Sequence, residues 1–456
     1  MPTKPRENPE HPWHDAMRKC QIMDNFTPEK TRIALASYYG LVTFIDDLKL
    51  RYGWSQTGNQ EIGDYNAYTS YQATSYNSSY PIDGNATAAT VGYNAAQYGN
   101  PGAQWESTTS SNLGLDATLF DRKMTLEFDL WSRTTDDLLL NIAIPYGAGD
   151  GGSPAINIGE MLNTGFDLAL SYGDQKGDFG YSISANISQY RNEIIQLDEF
   201  NTPIFGASRR VPSLTRTISG SPISMFFGLQ TDGIFQTQAE ADAAPSFGAY
   251  NAPGKFRFVD VDGNGEINDD DRTEIGSPHP DFTYGINLNL SYKNLSLNVF
   301  GNGSSGNDIF NYVRYFADFN SFQGNRSVRA LRDAWQPSNP SAPRSQWIAA
   351  NPNATSPIMD ANDQTSSRVT TYLIEDGSYF RIRNIQLTYQ FGDVINDALG
   401  IGGGQIYLQG QNLFTFTNYS GLNPEVNEGS DLTLGYDGGY MPVSKTILVG
   451  LNLNLF

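Results

Sequence analysis

From residue 43 onward, apolar and polar side chains alternate with a period of two, the mark of a strand whose two faces meet different surroundings. In KMTLEFDLWSR, Met124, Leu126, Phe128 and Leu130 share one side, while Lys123, Thr125, Glu127 and Asp129 share the other. FDLALSY repeats this with Phe166, Leu168, Leu170 and Tyr172, and FTYGINLNLSY with Phe282, Tyr284, Ile286, Leu288, Leu290 and Tyr292. Aromatic residues stand at or near the strand ends, where girdles mark the two interfaces of a membrane barrel. No run of about 18 apolar residues occurs, which excludes a transmembrane helix. Spanning strands of alternating polarity average out as hydrophilic, so the mean hydropathy of −0.42 is compatible with a barrel.

The connections sharpen this picture. Strands near 106–119 and 122–133 meet at Asp121-Arg122, those near 159–172 and 179–191 at the polar turn GDQKGD, and those at 281–292 and 295–303 at Lys293-Asn294. The link 392–404 is the longest of this short set. Between these hairpins lie the long excursions 59–105, 134–158, 192–280, 304–374 and 415–443. Short periplasmic turns alternating with long outer loops characterise outer-membrane barrels. If the first strand, 43–57, runs upward, ten strands leave the last, 444–456, running down to the periplasmic side. The predicted fold class is therefore all-β: an antiparallel transmembrane β-barrel of the outer-membrane type over residues 42–456.

Composition supports the same class. The 456 residues include 45 Gly, 26 Tyr and 25 Phe with 17% charged residues, as expected for aromatic strands joined by glycine-bearing turns. A net charge of −20 argues against nucleic acid as a partner, because a phosphate backbone calls for clustered Lys and Arg. The single cysteine, Cys20, rules out an internal disulfide framework. Residues 1–41 stand apart. They hold that cysteine, His11 and His14, show no alternation, and begin with a stretch lacking the apolar core of a secretory signal. They read as a disordered or non-native lead-in.

Several stretches are similar to hallmarks of the SusC/RagA family of TonB-linked transporters: DDLKLRYGWSQTGNQEIGDY (46–65), the WE-led hairpin of 105–140, GEMLNTGFDLALSY (159–172), LQTDGIFQTQAEADA (229–243), the segment 260–311, and YLIEDGSYFRIRNIQLTYQF (372–391). The resemblance runs in order over residues 43–456. It implies a 22-stranded barrel around a plug, of which this chain resembles the later half and looks truncated. It also implies TonB-dependent uptake of oligosaccharides or peptides. The implied partners are a SusD-like surface lipoprotein, the TonB–ExbB–ExbD complex acting through an N-terminal region not seen here, and outer-membrane lipid. Against the family pattern, Ile447, Val449, Leu451, Leu453 and Leu455 share a face that excludes the terminal Phe456.

Candidate chemistry is sparse. The run 260–271 has the register of a twelve-residue EF-hand-type calcium loop. Asp260, Asp262 and Asn264 stand at positions 1, 3 and 5, Gly265 at the sharp turn, Glu266 at the backbone-carbonyl position and Asp271 at the closing position. No helical pattern flanks it, and an Asx- and Gly-rich turn without metal has the same composition. A structural Ca²⁺ is the one cofactor the sequence suggests. The loop 59–105 carries Tyr65, Tyr68, Tyr71, Tyr76, Tyr80, Tyr93 and Tyr98 among Asn, Ser and Gly, suited to stacking on sugar rings or to packing the loop. Trp335 and Trp347 raise the same pair of readings. Arg381 and Arg383 read as lumen-facing ion-pair partners, GIGGG (400–404) as no phosphate loop, and His279 as no metal ligand. No catalytic triad or carboxylate pair is evident, so the chain reads as a non-enzyme. Two rivals remain: a calcium-stabilised glycan-binding or adhesin β-sandwich, which would bury its apolar faces between sheets, and a fragment with no function of its own.

Overall fold

A sheet that is apolar on one side only must either stack on a second sheet or meet lipid, and among the described residues nothing stacks on it. The computed structural model describes residues 33–34, 44–59, 66–73, 79–81, 84, 90–141, 151–152, 154–198, 200–208, 211–319, 324–363, 365–426 and 430–455. Ten long strands form one antiparallel sheet: β1 (Ile45–Asn59), β2 (Glu106–Leu119), β3 (Met124–Asp136), β4 (Glu160–Lys176), β5 (Phe179–Gln196), β6 (Phe282–Tyr292), β7 (Leu295–Ser305), β8 (Tyr379–Gln390), β9 (Gly403–Thr417) and β10 (Thr446–Asn454). Each pairs with its neighbour in sequence, a continuous meander. The two-residue strand Ile33–Ala34 pairs with Leu50 and Lys49 at the β1 edge. The sheet does not close on itself.

Register keeps most apolar positions of the strands on one face. Leu126 lies opposite Leu170, Leu168 opposite Ile187, and Ile183 opposite Leu288. That face is uncovered: Leu130 is 47% exposed, Ile286 41%, Leu408 51% and Val449 72%. None of Leu126, Leu170 and Leu290 is buried. A sandwich would have hidden these side chains in a dry interior, so the sandwich rival fails. Tyr284, Phe380 and Phe416 stack in series near the long-loop ends of β6, β8 and β9, with centroids 5.9 and 6.5 Å apart. Phe44 on Phe120 and Phe179 on Tyr181 do so at the short-turn ends. These are the two girdles.

Three boundaries differ from the sequence reading. The turn expected over GDQKGD shrinks to Gly177-Asp178, because Gly173–Lys176 stay paired with Phe179–Ser182 and Gly177 takes the left-handed φ of +59°. Strand β8 begins at Tyr379, since Ile374–Asp376 belong to a small loop sheet instead. The link 392–404 holds a short helix, Asp393–Leu399, closed by Gly400 in the left-handed conformation, so GIGGG ends a helix and opens none. Phe456, and residues 1–41 apart from Ile33–Ala34, lie outside the described residues.

The larger departure concerns the long excursions. Segments from 211–276, 308–319, 335–374 and 436 share one hydrophobic core in which Leu214, Phe226, Phe310, Trp335 and Leu373 are fully buried. Parts of three excursions, 192–280, 304–374 and 415–443, thus fold together into one head on the long-loop side. Lys255 pins two of them together, its ammonium buried between Asp360 at 3.0 Å and Asp363 at 2.6 Å.

Because the outward face meets hydrocarbon, Leu288→Arg at the middle of β6 is expected to destabilise the folded barrel by about 2–4 kcal/mol. A change at the adjacent inward position, Asn289→Ser, should cost far less. Urea titrations in lipid vesicles, read by heat-modifiable gel migration, compare the two.

Candidate lumenal wall and extracellular head

The opposite face of the sheet is mainly polar, with Trp131 and Tyr190 as aromatic exceptions toward its outer end. On β6 to β9 it carries a chain of amides: Asn298 Nδ2 donates to Asn287 at 2.9 Å and to Asn289 at 2.6 Å, Asn384 donates to Asn298 at 3.1 Å, and Gln409 donates to Asn384 at 2.6 Å. On β1 to β3 it carries charge. Arg51 bridges Asp116 at 2.7 Å and Asp129 at 3.0 Å, and Lys49 joins Asp116 at 2.8 Å. Polar groups packed this densely belong to a water-filled lumen. Near the short turns the wall forms a hollow of about 610 Å³ lined by Lys123, Ser182, Asn289, Asn298, Gln386 and Thr388 among others.

Arg381 and Arg383 do face this side, and both are paired with Glu425 of the last outer loop. Arg381 is buried, donating from Nε to Thr415 at 2.9 Å and from Nη2 to Asn423 at 2.7 Å. One carboxylate thus holds two guanidinium groups and fastens the loop 418–445 to the wall.

The suspected sugar-stacking residues separate into two sets. Trp335 is 1% exposed, its indole N–H donating to Gln236 at 3.1 Å and its ring beside Trp347 at 6.2 Å. It is a core residue of the head, with no face free for a ligand. Trp347 packs against the same core and donates to the Ala342 carbonyl at 2.9 Å. By contrast, Tyr68 and Tyr71 are each 69% exposed, and Tyr80 and Tyr93 are exposed as well. Tyr65 and Tyr76 lie outside the described residues.

The loop 260–271 folds into a tight acidic turn. The carboxylates of Asp260, Asp262 and Asp271 bring oxygens within 4.8 Å of one another. Two oxygens that each lie about 2.3–2.6 Å from a common Ca²⁺ can stand up to about 5 Å apart, so this spacing is compatible with a shared ion. Backbone N–H groups converge on the acids: Asp260 accepts from Gly265 at 2.8 Å and Gly263 at 2.7 Å, which holds its carboxyl below the usual carboxylate range. Buried Asp271 accepts from Val261 and Asn268, both at 2.8 Å. Asn264 leans on Asp262 at 2.8 Å, and the Glu266 side chain is exposed. Gly263 and Gly265 supply φ of +74° and +86°, conformations that cost other residues strain. The loop leaves the strand Phe256–Phe258 and runs into the 3₁₀ turn Asp269–Asp271, anchored in the head core by Ile267. The donor set fits a hard, oxygen-seeking cation.

Sequence reasoning gave His279 no role. It sits where the head meets the inner wall, its Nε2 2.7 Å from the Ile223 carbonyl and its Nδ1 3.1 Å from the Tyr190 hydroxyl. A carbonyl only accepts, so Nε2 carries the proton and Nδ1 accepts from Tyr190. Two prolines flanking His279 were the only sequence sign of a fixed position.

With this geometry in place, comparison with known proteins decides the family. The profile described as TonB dependent receptor-like, beta-barrel matches residues 30–303, more than half of the chain. The chain belongs to this family of outer-membrane barrels. It is 30% identical over 417 residues to TonB-dependent receptor P3 of Formosa agariphila, covering 89% of this chain and 39% of that receptor. It is 31% identical over 422 residues to TonB-dependent receptor SusC of Bacteroides thetaiotaomicron, covering 90% and 38%. Among solved structures, the RagAB peptide transporter superposes with a TM-score of 0.71 at 27% identity, over 91% of this chain and 42% of that one. The chain therefore spans about two fifths of the length of these relatives.

Burial pushes the His279 imidazole below its ordinary value of about 6.5. The stability it contributes is then present above that value and lost as pH falls below it, where the unfolded state gains the proton first. Protection factors of amides near Ile223, corrected for the intrinsic pH dependence of exchange, are expected to fall between about pH 7 and pH 5 in the parent and much less in His279→Gln.

Proposed function

We propose that this chain supplies lumenal wall and extracellular head to an importer of the SusC type, which takes oligosaccharides across the outer membrane. The observation that carries the reading is the two-sided sheet, with an uncovered apolar face outside and a continuous amide and charge network inside. Lipid leaves no partner for an unpaired strand edge, so β10, and β1 beyond its short pairing with Ile33–Ala34, call for further strands to complete the barrel. A folded head above the wall gives substrate and a surface partner something rigid to bind. By family resemblance that partner is a SusD-like lipoprotein acting as a lid, and the TonB–ExbB–ExbD complex supplies the energy for release. Chemistry on the substrate has no place in this scheme, since binding and passage are the whole task. The exposed tyrosines Tyr68 and Tyr71 and the hydroxyl- and amide-rich wall favour glycans. Peptide is the competing cargo, the one carried by the RagAB transporter.

Deleting the complete gene should abolish uptake of labelled oligosaccharides, and so should removing TonB. Uptake that persists without TonB would overturn the importer reading, and loss of peptide uptake alone would overturn the glycan preference.

In the same scheme the loop 260–271 takes Ca²⁺, with Asp260, Asp262, Asn264 and Asp271 as side-chain ligands and Glu266 through its carbonyl. The ion would clamp the chain reversal under Ile267 and stiffen the head; it takes no part in passage. Extracellular sites of this kind bind at about 10⁻⁴–10⁻³ M. Millimolar Ca²⁺ should protect residues 260–271 from proteolysis in the parent, while Asp260→Asn should remove that protection. Equal cleavage with and without Ca²⁺ would leave the loop as a metal-free turn.

A further inference from the structure

Cations on the lumenal wall are paired with carboxylates: Lys49 and Arg51 with Asp116, and Arg381 and Arg383 with Glu425. Arg133, toward the outer end of β3, is different. It is exposed, and among the described residues its guanidinium has no acidic partner, lying instead over the indole of Trp131, 4.9 Å from the ring centroid. The indole is itself fixed. It lies across Gly165, where a Cβ would come within 2.6 Å of the ring, and its Nε1 donates to Asp167 at 3.0 Å. Glycine at 165 is thus what lets the tryptophan lie flat on the wall.

This arrangement holds a positive charge without a direct ion pair over a fixed aromatic ring on the inward face, with the Asp167 carboxylate bound to the same ring. A guanidinium stacked on an aromatic ring keeps its N–H edge free, and that edge matches the two oxygens of a carboxylate. Asp167 is exposed and uses one oxygen on the indole, which leaves the other for a neutral donor such as a hydroxyl. Across the strands, Arg133 lies opposite Ser110 and Asn163, so a hydroxyl and an amide flank it rather than an apolar pocket.

We propose that Arg133, Trp131 and Asp167 form a binding site for a uronate unit of an acidic oligosaccharide, with its carboxylate on Arg133 and its hydroxyls toward Asp167. The site deepens the importer reading and rests on it. A peptide C-terminus would satisfy Arg133 equally well, but it would find no pocket for its last side chain and would offer Asp167 few donors. Charge complementarity and the hydroxyl-accepting neighbour therefore favour the sugar acid.

The test is calorimetry on the full-length protein in detergent at about 150 mM salt, where screening suppresses long-range attraction. The probes are tetragalacturonate, its neutral counterpart galactotetraose, and pentaalanine. Arg133→Gln is expected to weaken tetragalacturonate binding at least about tenfold, the loss of a charge-assisted pair. Arg133→Lys should restore part of that affinity, and galactotetraose should bind parent and variants alike. The proposal is overturned if the parent does not bind tetragalacturonate or if Arg133→Gln binds it as the parent does. It also falls if pentaalanine is the probe that loses affinity, which would make this a peptide site. A lowered melting temperature with unchanged binding would show that Arg133 pairs with another part of the polypeptide. TonB-dependent uptake of neutral glycans by Arg133→Gln would leave the importer standing in each of these cases.

Discussion

Hydrocarbon offers no hydrogen-bond partner, so every backbone donor and acceptor of a chain crossing it must be satisfied within the structure. In this protein neighbouring strands do that, in an unbroken antiparallel ladder from β1 to β10. The ladder fixes side-chain direction, and direction fixes everything else. Residues two apart share a face, so the lipid side accumulates Leu, Ile and Val, and the other side accumulates Asn, Gln, Ser and paired charge. A slip of one residue in register would drive Asn298 into lipid and Val299 into the lumen, which explains why short left-handed turns such as Phe120–Arg122 and Lys293 hold the hairpins tightly.

The inner wall and the head use two different kinds of cohesion. The wall relies on amide and ion-pair networks that run from strand to strand. The head buries aromatic rings instead. Phe310 packs on Tyr436 at 6.2 Å, and Phe256 on Tyr372 at 5.0 Å. The head is tied to the wall at discrete points, among them Glu425 gripping Arg381 and Arg383 and His279 reaching from the base of the head to Tyr190. Trp131 and Arg133 stand near the outer end of β3, on the side of the sheet where the head lies.

The barrel strands were legible because alternation is a property of near neighbours in the chain. Ile286, Leu288 and Leu290 mark one face of β6 without reference to any distant partner. The head was not legible. Its core joins residues such as Leu214, Trp335 and Tyr436, which are far apart in sequence and follow no period, so each looked like an isolated apolar residue in a polar loop. For this reason Trp335 read as a ligand platform when it is a core side chain. The turn at 260–271 was legible because the spacing of its Asp, Asn and Gly residues is local. The Trp131–Arg133 site was missed because its meaning lies in what is absent, an acidic partner for Arg133, and in Gly165, which lies opposite Trp131 on the neighbouring strand.

The claim on which the account rests is that β6 presents alternate residues to lipid and to water. Nitroxide labels placed singly at residues 286 to 291 of the full-length protein in bilayers report this directly through collision with oxygen, which favours lipid, and with a nickel chelate, which favours water. The account predicts oxygen accessibility at 286, 288 and 290 and nickel accessibility at 287, 289 and 291. Low accessibility to both reagents along the even positions would place them in a protein interior and contradict it.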